Sequence, residues 1–303
     1  MTRADHRADH RADHRVDHRA GTEPGVTPSP ALPGRTGRTD RSPARRPARG
    51  RTSLLGRVAP PVLVVLLLLV VWQWTVTALD VRPQVLPSPL RVVEQGWAFR
   101  DVLWANTVPT LQVTGVGFAV SLAVGWVLAV VVDFSPWLRR ALVPLLVASQ
   151  TLPIIAIAPL MIIWFGFGLL PKVLVIALVT FFPIAVGLIE GFSRADPEAS
   201  NLLRSMGGGR WAEFRYVRLP GALPSFFTAL RIAITYAVTG AIFAEYVGAR
   251  AGLGIYMAQQ KNSFRTDLVL AAVAVAALVS VALFGLTYLV ERVVAPWIRR
   301  TRS

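Results

Sequence analysis

Four histidines, His6, His10, His14 and His18, recur every four residues near the start of the chain, a spacing that on a helix sets all four imidazoles on one face as metal ligands. The repeat around them is Ala-Asp-His-Arg, which offers no apolar residues to build a fold that would orient the rings, so no metal is expected here. The repeat reads instead as a tether drawn toward anionic lipid, or as the product of an over-extended start codon. A second candidate is Gly207-Gly208-Gly209, since backbone N–H groups at a helix start can cradle a phosphate. The Lys and Ser/Thr of a phosphate-binding loop do not follow it, and a flexible break between two short helices is the preferred reading. Gly-x-Ser-x-Gly is absent, and zero Cys excludes disulfides, thiolate metal sites and Cys nucleophiles. No enzyme constellation remains, and no cofactor is called for.

What does carry a pattern is the polar, Arg-rich stretch from Ser193 to Pro224, set between two long apolar runs. Leu202, Leu203 and Met206 fall at helical spacing, the three glycines interrupt, and Trp211, Phe214 and Val217 resume an apolar stripe flanked by Arg210, Arg215 and Arg218. A pair of amphipathic helices with no core of its own has two destinations, the lipid headgroups or a groove on a partner protein.

The elements that must position this stretch are membrane spans. At 303 residues, 53% hydrophobic and 16% charged, with a mean hydropathy of +0.51, the chain is too apolar for an ordinary soluble domain. Residues 1–57 are basic and of low complexity, and are expected to be disordered. Residues 58–303 hold six apolar runs: Pro60 to Leu79, Thr107 to Val132, Ala141 to Trp164, Val173 to Ile189, Phe226 to Val247 and Leu268 to Val290. Each approaches the length needed to cross a hydrocarbon core of about 30 Å. The fold class is therefore all-α, a polytopic membrane protein of six spans with a water-facing loop, residues 193–222, between the fourth and fifth.

The net charge of +15 does not point to nucleic acid, because the arginines cluster in the tail and in loops beside apolar spans. With the Arg-rich tail inside, the cytoplasmic segments gain Arg139 and Arg140, the five arginines of the loop, and Arg292, Arg299, Arg300 and Arg302. The opposite side holds Arg82, Arg91, Arg100, Lys172, Arg250, Lys261 and Arg265. Both termini inside requires an even number of spans, which six satisfies.

Polar residues at membrane depth mark a candidate solute path, because burying them in lipid is costly. Gln150 and Thr151 interrupt the third run, and Thr235, Tyr236, Thr239 and Glu245 mark the fifth. Glu245 and Glu190 sit near span ends, where structural pairing or interfacial solvation competes with a role on the path.

Gly207 is followed after nine residues by Val217-Arg218-Leu219-Pro220, which resembles the Gly, nine residues, Ile-x-Leu-Pro half of the signature loop of bacterial ABC importer permeases. The other half departs: six residues before the glycine the family has Glu-Ala-Ala, and this chain has Asn201-Leu202-Leu203. The run Leu202-Leu203-Arg204-Ser205-Met206-Gly207 is similar to a variant found in permeases for thiamine's pyrimidine precursor, as are Ala233 to Gly248 and Ser263 to Asp267. The Trp164 to Lys172 link also resembles the family, and the likeness spans about residues 85 to 297.

The resemblance implies a permease subunit of an ATP-driven importer, working with cytoplasmic ATPase subunits, an external solute-binding protein and a second copy of itself, in the bacterial cytoplasmic membrane. It implies that Asn201, Leu202, Leu203, Arg204, Met206, Gly207, Trp211, Phe214, Val217, Leu219 and Pro220 couple the chain to the ATPase. Within them Leu203, Met206 and Gly207 are the docking surface and hinge, while Trp211 and Phe214 either brace the loop against the bundle or contact the ATPase. It implies a small aromatic heterocycle as cargo, with riboflavin, or sulfonate, taurine and nitrate, as alternatives. A rival of another class is a non-transporting scaffold or sensor whose basic loop binds anionic lipid.

Overall fold

The computed structural model describes residues 54–299, so the histidine repeat and nearly all of the basic tail lie outside the described residues. Helix α1 (Leu54–Ala78) already begins inside the stretch expected to be disordered, continuous with the Val/Leu run that follows. Every regular element among the described residues is a helix. That is the expected solution in hydrocarbon, where a backbone N–H or C=O left without a partner costs several kcal/mol and a helix satisfies all of them within one segment.

After α1 come the short amphipathic α2 (Pro89–Ala98), the long α3 (Arg100–Phe134), α4 (Pro136–Ser149), α5 (Ile154–Phe165) and α6 (Leu169–Ser193). Then follow α7 (Pro197–Ser205), the single turn α8 (Arg210–Glu213), a π-turn (Phe214–Arg218), α9 (Leu219–Gly248), α10 (Leu253–Asn262) and α11 (Thr266–Val294). Five helical runs are long and apolar enough to cross a membrane, and α4 with α5 forms a sixth span only if counted as one, since the two are bent by 98°. The interruption expected at Gln150 and Thr151 is thus a sharp break. Pro153 caps the start of α5, where its missing N–H costs no helical bond.

The centre of the molecule is the pairing of α6 with α9, with α3 laid against α6. Ile184, Leu188 and Phe192 of α6 meet Phe226, Phe227 and Leu230 of α9 and Ala129 and Val132 of α3 in one buried cluster. Between lipid-embedded helices apolar burial gives little driving force, because lipid tails are as apolar as leucine; close van der Waals packing must hold them. Gly191 shows how close: a Cβ there would lie 2.8 Å from Ala222 Cβ and 2.9 Å from its Cα. Polar side chains add ties at depth. Ser121 of α3 is hydrogen-bonded to Thr180 of α6, and Arg231 of α9 is paired with Glu291 of α11 under the Tyr288 ring.

Candidate functional site

The helical run from Arg210 to Gly248 counts 39 residues. At 1.5 Å per residue it is about 58 Å long, nearly twice a hydrocarbon core, so α8, the π-turn and the first turns of α9, which carry Arg210, Arg215 and Arg218, reach past that core. The loop of residues 193–222 is built on this extension.

Its first helix has a strong start and a strong stop. Pro197 occupies the first helical position, the Asp196 carboxylate accepts from the Glu198 N–H at 2.9 Å, and Glu198 complements the positive end of the helix. Gly207 ends α7 at φ +84°, a left-handed conformation that side chains rarely adopt. The Gly207 N–H donates to the Arg204 carbonyl at 3.0 Å and the Gly208 N–H to the Leu203 carbonyl at 2.9 Å, the paired closure of a Schellman stop. The triple glycine is therefore a helix terminator with fixed geometry.

The loop presents large apolar side chains outward. Leu202 is 65% exposed, Met206 77% and Trp211 63%, while Leu203 is half-buried and Asn201 and Arg204 are exposed. Phe214 faces the other way: it is buried against Phe134 of α3 and Phe192 of α6, each with ring centroids 5.3 Å away. Trp211 stacks on Phe134 and Phe214 with most of its surface still open. Val217, Leu219 and Pro220 are half-buried where the π-turn runs into α9.

Beneath this surface lies a clasp of charges that the sequence did not disclose. Glu213 is 3% exposed. Its Oε2 accepts from Arg204 Nε at 3.0 Å and Nη2 at 2.8 Å, and its Oε1 from Arg218 Nε at 3.1 Å and Nη2 at 3.0 Å. Arg218 Nη1 reaches on to Asp133 Oδ1 of α3 at 2.8 Å. Each guanidinium thus gives two charge-assisted hydrogen bonds to one carboxylate oxygen, and with the Arg218–Asp133 bond they connect α7 through the π-turn to the end of α3. The Arg204 guanidinium above all, with Arg218 opposing the effect of burial, holds the Glu213 carboxyl below its ordinary value. The signal available in the sequence was a lone acid between Arg210 and Arg215, but its partners lie nine residues back and five ahead, at no helical interval.

The residues expected on a solute path divide into three groups. Gln150, Tyr236 and Thr239 line one cavity of about 240 Å³ at the α4–α5 break, together with Ser149 and apolar residues of α5, α6 and α9. Thr151 and Thr235 are exposed outside its lining, their hydroxyls donating to the carbonyls of Ala148 and Arg231. Glu245 is elsewhere, buried and paired rather than solvated at the interface: it accepts from Thr110 Oγ1 at 2.9 Å and from the Gly254 N–H at 3.0 Å. The segment from Ala249 to Leu253 folds back over it. The Leu253 N–H donates to Thr110 Oγ1 and the Gly252 N–H to Asn106 Oδ1, so Glu245 anchors the joint between α3, α9 and α10.

A family model described as a binding-protein-dependent transport system inner membrane component matches residues 121–300. The formylaminopyrimidine transport permease protein ThiX of Halalkalibacterium halodurans is 34% identical over 238 residues, covering 78% of this chain and 95% of that protein. The riboflavin transport system permease protein RibX of Chloroflexus aurantiacus is 38% identical over 234 residues, covering 77% of this chain and 87% of its own. Among solved structures, one described as an amino acid ABC transporter with histidines superposes with a TM-score of 0.55 at 16% identity, covering 64% of this chain and 95% of that one, a likeness of fold.

Proposed function

The chain belongs to the family of binding-protein-dependent transport system inner membrane components, and from that premise we propose that its loop of residues 193–222 is the docking element through which an ATPase drives solute import. As a member, it is a multi-pass permease subunit of a bacterial ABC importer, and ATP hydrolysis belongs to a separate subunit.

The observation that carries the docking role is the combination of outward Leu202, Met206 and Trp211 with a buried Glu213 clasp behind them. A surface that receives force must be both accessible and stiffly tied to what it moves. Here the tie runs from Arg204 through Glu213 and Arg218 to Asp133 on α3. Two copies of the chain form the pore, with both termini and the loop on the cytoplasmic side. ATP binding closes the ATPase pair and rocks the spans outward-open to accept a solute from the binding protein, and hydrolysis returns them inward-open. The ATPase transmits work only by contacting these two states differently.

The proposed cargo is thiamine's pyrimidine precursor, of the hydroxymethylpyrimidine type. The relative that transports formylaminopyrimidine supports this reading, as does the cavity at the α4–α5 break. Its polar groups, Ser149, Gln150, Tyr236 and Thr239, are neutral, and none of its lining residues carries a charge. Such a lining suits an uncharged heteroaromatic ring better than a sulfonate or nitrate. Riboflavin is the second reading, favoured by the 38% identity to a riboflavin permease. The cavity's volume of about 240 Å³ falls below the usual range for small-molecule sites and favours the single ring.

The test is reconstitution with the cognate ATPase and binding protein, scoring a panel of pyrimidines, riboflavin, taurine and nitrate for stimulated hydrolysis and uptake. Stimulation by the pyrimidines supports the reading. Stimulation by taurine or nitrate alone refutes the cargo but not the docking role.

A further inference from the structure

Beside the clasp lies a cleft of about 250 Å³ between the α3–α4 turn and the loop, walled by the guanidinium groups of Arg139, Arg204, Arg210 and Arg218 and by two carboxylates, Asp133 and Glu213. The two acids are already engaged. Glu213 spends both oxygens on Arg204 and Arg218, and Asp133 pairs with Arg218. Arg139 and Arg210 are left without a carboxylate partner among the described residues. Arg139 Nη2 donates to Ser193 Oγ at 2.7 Å and Arg210 Nη2 to the Phe134 carbonyl at 3.0 Å, both neutral acceptors. Two uncompensated cations therefore line one concavity, an arrangement that repels itself until an anion enters.

The level of the cleft in the membrane narrows the choice of anion. Helix α3 keeps exposed valines on its outer face down to Val131, 43% exposed and next to the cleft-lining Val132, and the helix ends three residues later at Phe134. Trp137, in the first turn of α4, is 75% exposed, and an amphipathic ring of this kind settles among lipid headgroups. The guanidinium of Arg210 lies over the Phe134 ring, 5.6 Å from its centroid, at the same boundary. At that level the most concentrated anion is the phosphodiester of an anionic phospholipid, and basic pockets between span ends are where such headgroups are held.

We infer that this cleft seats the headgroup phosphate of one anionic phospholipid, bound by Arg139 and Arg210. The bound lipid bridges the α3–α4 turn to the loop from the membrane side, opposite in role to the outward face formed by Leu202 and Met206. Lipid binding requires no ATPase, so this inference stands or falls separately from the docking role.

The experiment uses the full chain in neutral detergent micelles doped with phosphatidylglycerol or phosphatidylcholine, and counts retained lipids by native mass spectrometry across a titration. The unmodified protein retains one phosphatidylglycerol in preference to phosphatidylcholine, and equal retention of the two overturns the inference. Arg139→Gln with Arg210→Gln weakens retention about 25-fold, about five-fold for each cation removed. Arg140→Gln with Arg215→Gln removes the same charge from exposed positions outside the cleft and changes retention less than about two-fold. An equal loss in both pairs shows diffuse surface charge and overturns the site. Arg139→Lys with Arg210→Lys keeps the charge and most of the retention, and decides the matter if the glutamine pair does not insert. Full displacement of the lipid by millimolar inorganic phosphate assigns the cleft to free phosphate and likewise overturns a lipid site.

Discussion

Glu213 and Arg218 face each other across a π-turn, the carboxylate taking two hydrogen bonds from one guanidinium at 3.0 and 3.1 Å while remaining 3% exposed. A regular α-helix would set residues five apart on different sides. The wider π-turn brings them to one side and leaves the opposite carboxylate oxygen free for Arg204.

Glu213→Gln leaves two guanidinium groups facing a neutral amide. Removing one partner of a buried pair costs about 3–5 kcal/mol, but Arg204 and Arg218 keep 58% and 30% side-chain exposure, so water recovers part and about 1–3 kcal/mol is expected. The reconstituted complex should then hydrolyse ATP with little uptake per turnover. A normal ratio of uptake to hydrolysis would remove the clasp from the coupling path. Because the Glu213 carboxyl titrates below its ordinary value, its contribution is present above about pH 4.3 and is lost only as pH falls through the depressed value. Coupling should accordingly be flat from neutral pH down to about 5.

Gly207→Val forces a β-branched residue into φ +84°, at a cost of about 1–2 kcal/mol or more. No atom lies within 4 Å of the added Cβ, so the penalty is in the backbone alone. The protein should insert and express normally but lose coupled uptake, and unchanged uptake at normal expression would count against a fixed stop at this position.

Gly191→Ala pushes a methyl group into Ala222 at 2.8–3.0 Å in the α6–α9 seam and should lower thermal stability by about 1–3 kcal/mol. Gly221→Ala, with open space around it, is the control and should be near neutral. Melting curves in the same detergent compare them.

Tyr236→Phe and Gln150→Leu strip hydrogen-bonding groups from the cavity at the α4–α5 break without altering its charge. Uptake of a pyrimidine cargo should fall, while basal hydrolysis stays as it was, because neither residue touches the loop. Equal uptake in both variants would place the solute path elsewhere.

Much of this architecture was legible in local pattern. The apolar runs, the interruption at Gln150 and Thr151, and the stripe broken by Gly207 all depend on neighbours within a few residues, where helical spacing and backbone breakers are informative. What escaped depends on long-range placement. Gln150 meets Tyr236 and Thr239 only after α4 and α5 bend apart, and no period connects positions so far separated in the chain. Glu245 sits near a span end, where the sequence left structural pairing and interfacial solvation both open, and it is buried because the Ala249 to Leu253 segment and α10 fold back across it. Asp133 and Glu213 are ordinary acids in sequence and acquire meaning from Arg218, which the π-turn carries between them.

The docking role of the loop is tested most directly by cross-linking, made simple by the absence of cysteine from the chain. Single Met206→Cys and Leu169→Cys variants, each assembled with the ATPase subunit in the membrane, are treated with a short thiol-to-amine reagent. An adduct of permease and ATPase is expected from position 206, modulated by ATP, and none from position 169 at the start of α6. Labelling of position 206 by a reagent confined to the outer side of the membrane, with no ATPase adduct, would contradict the docking role.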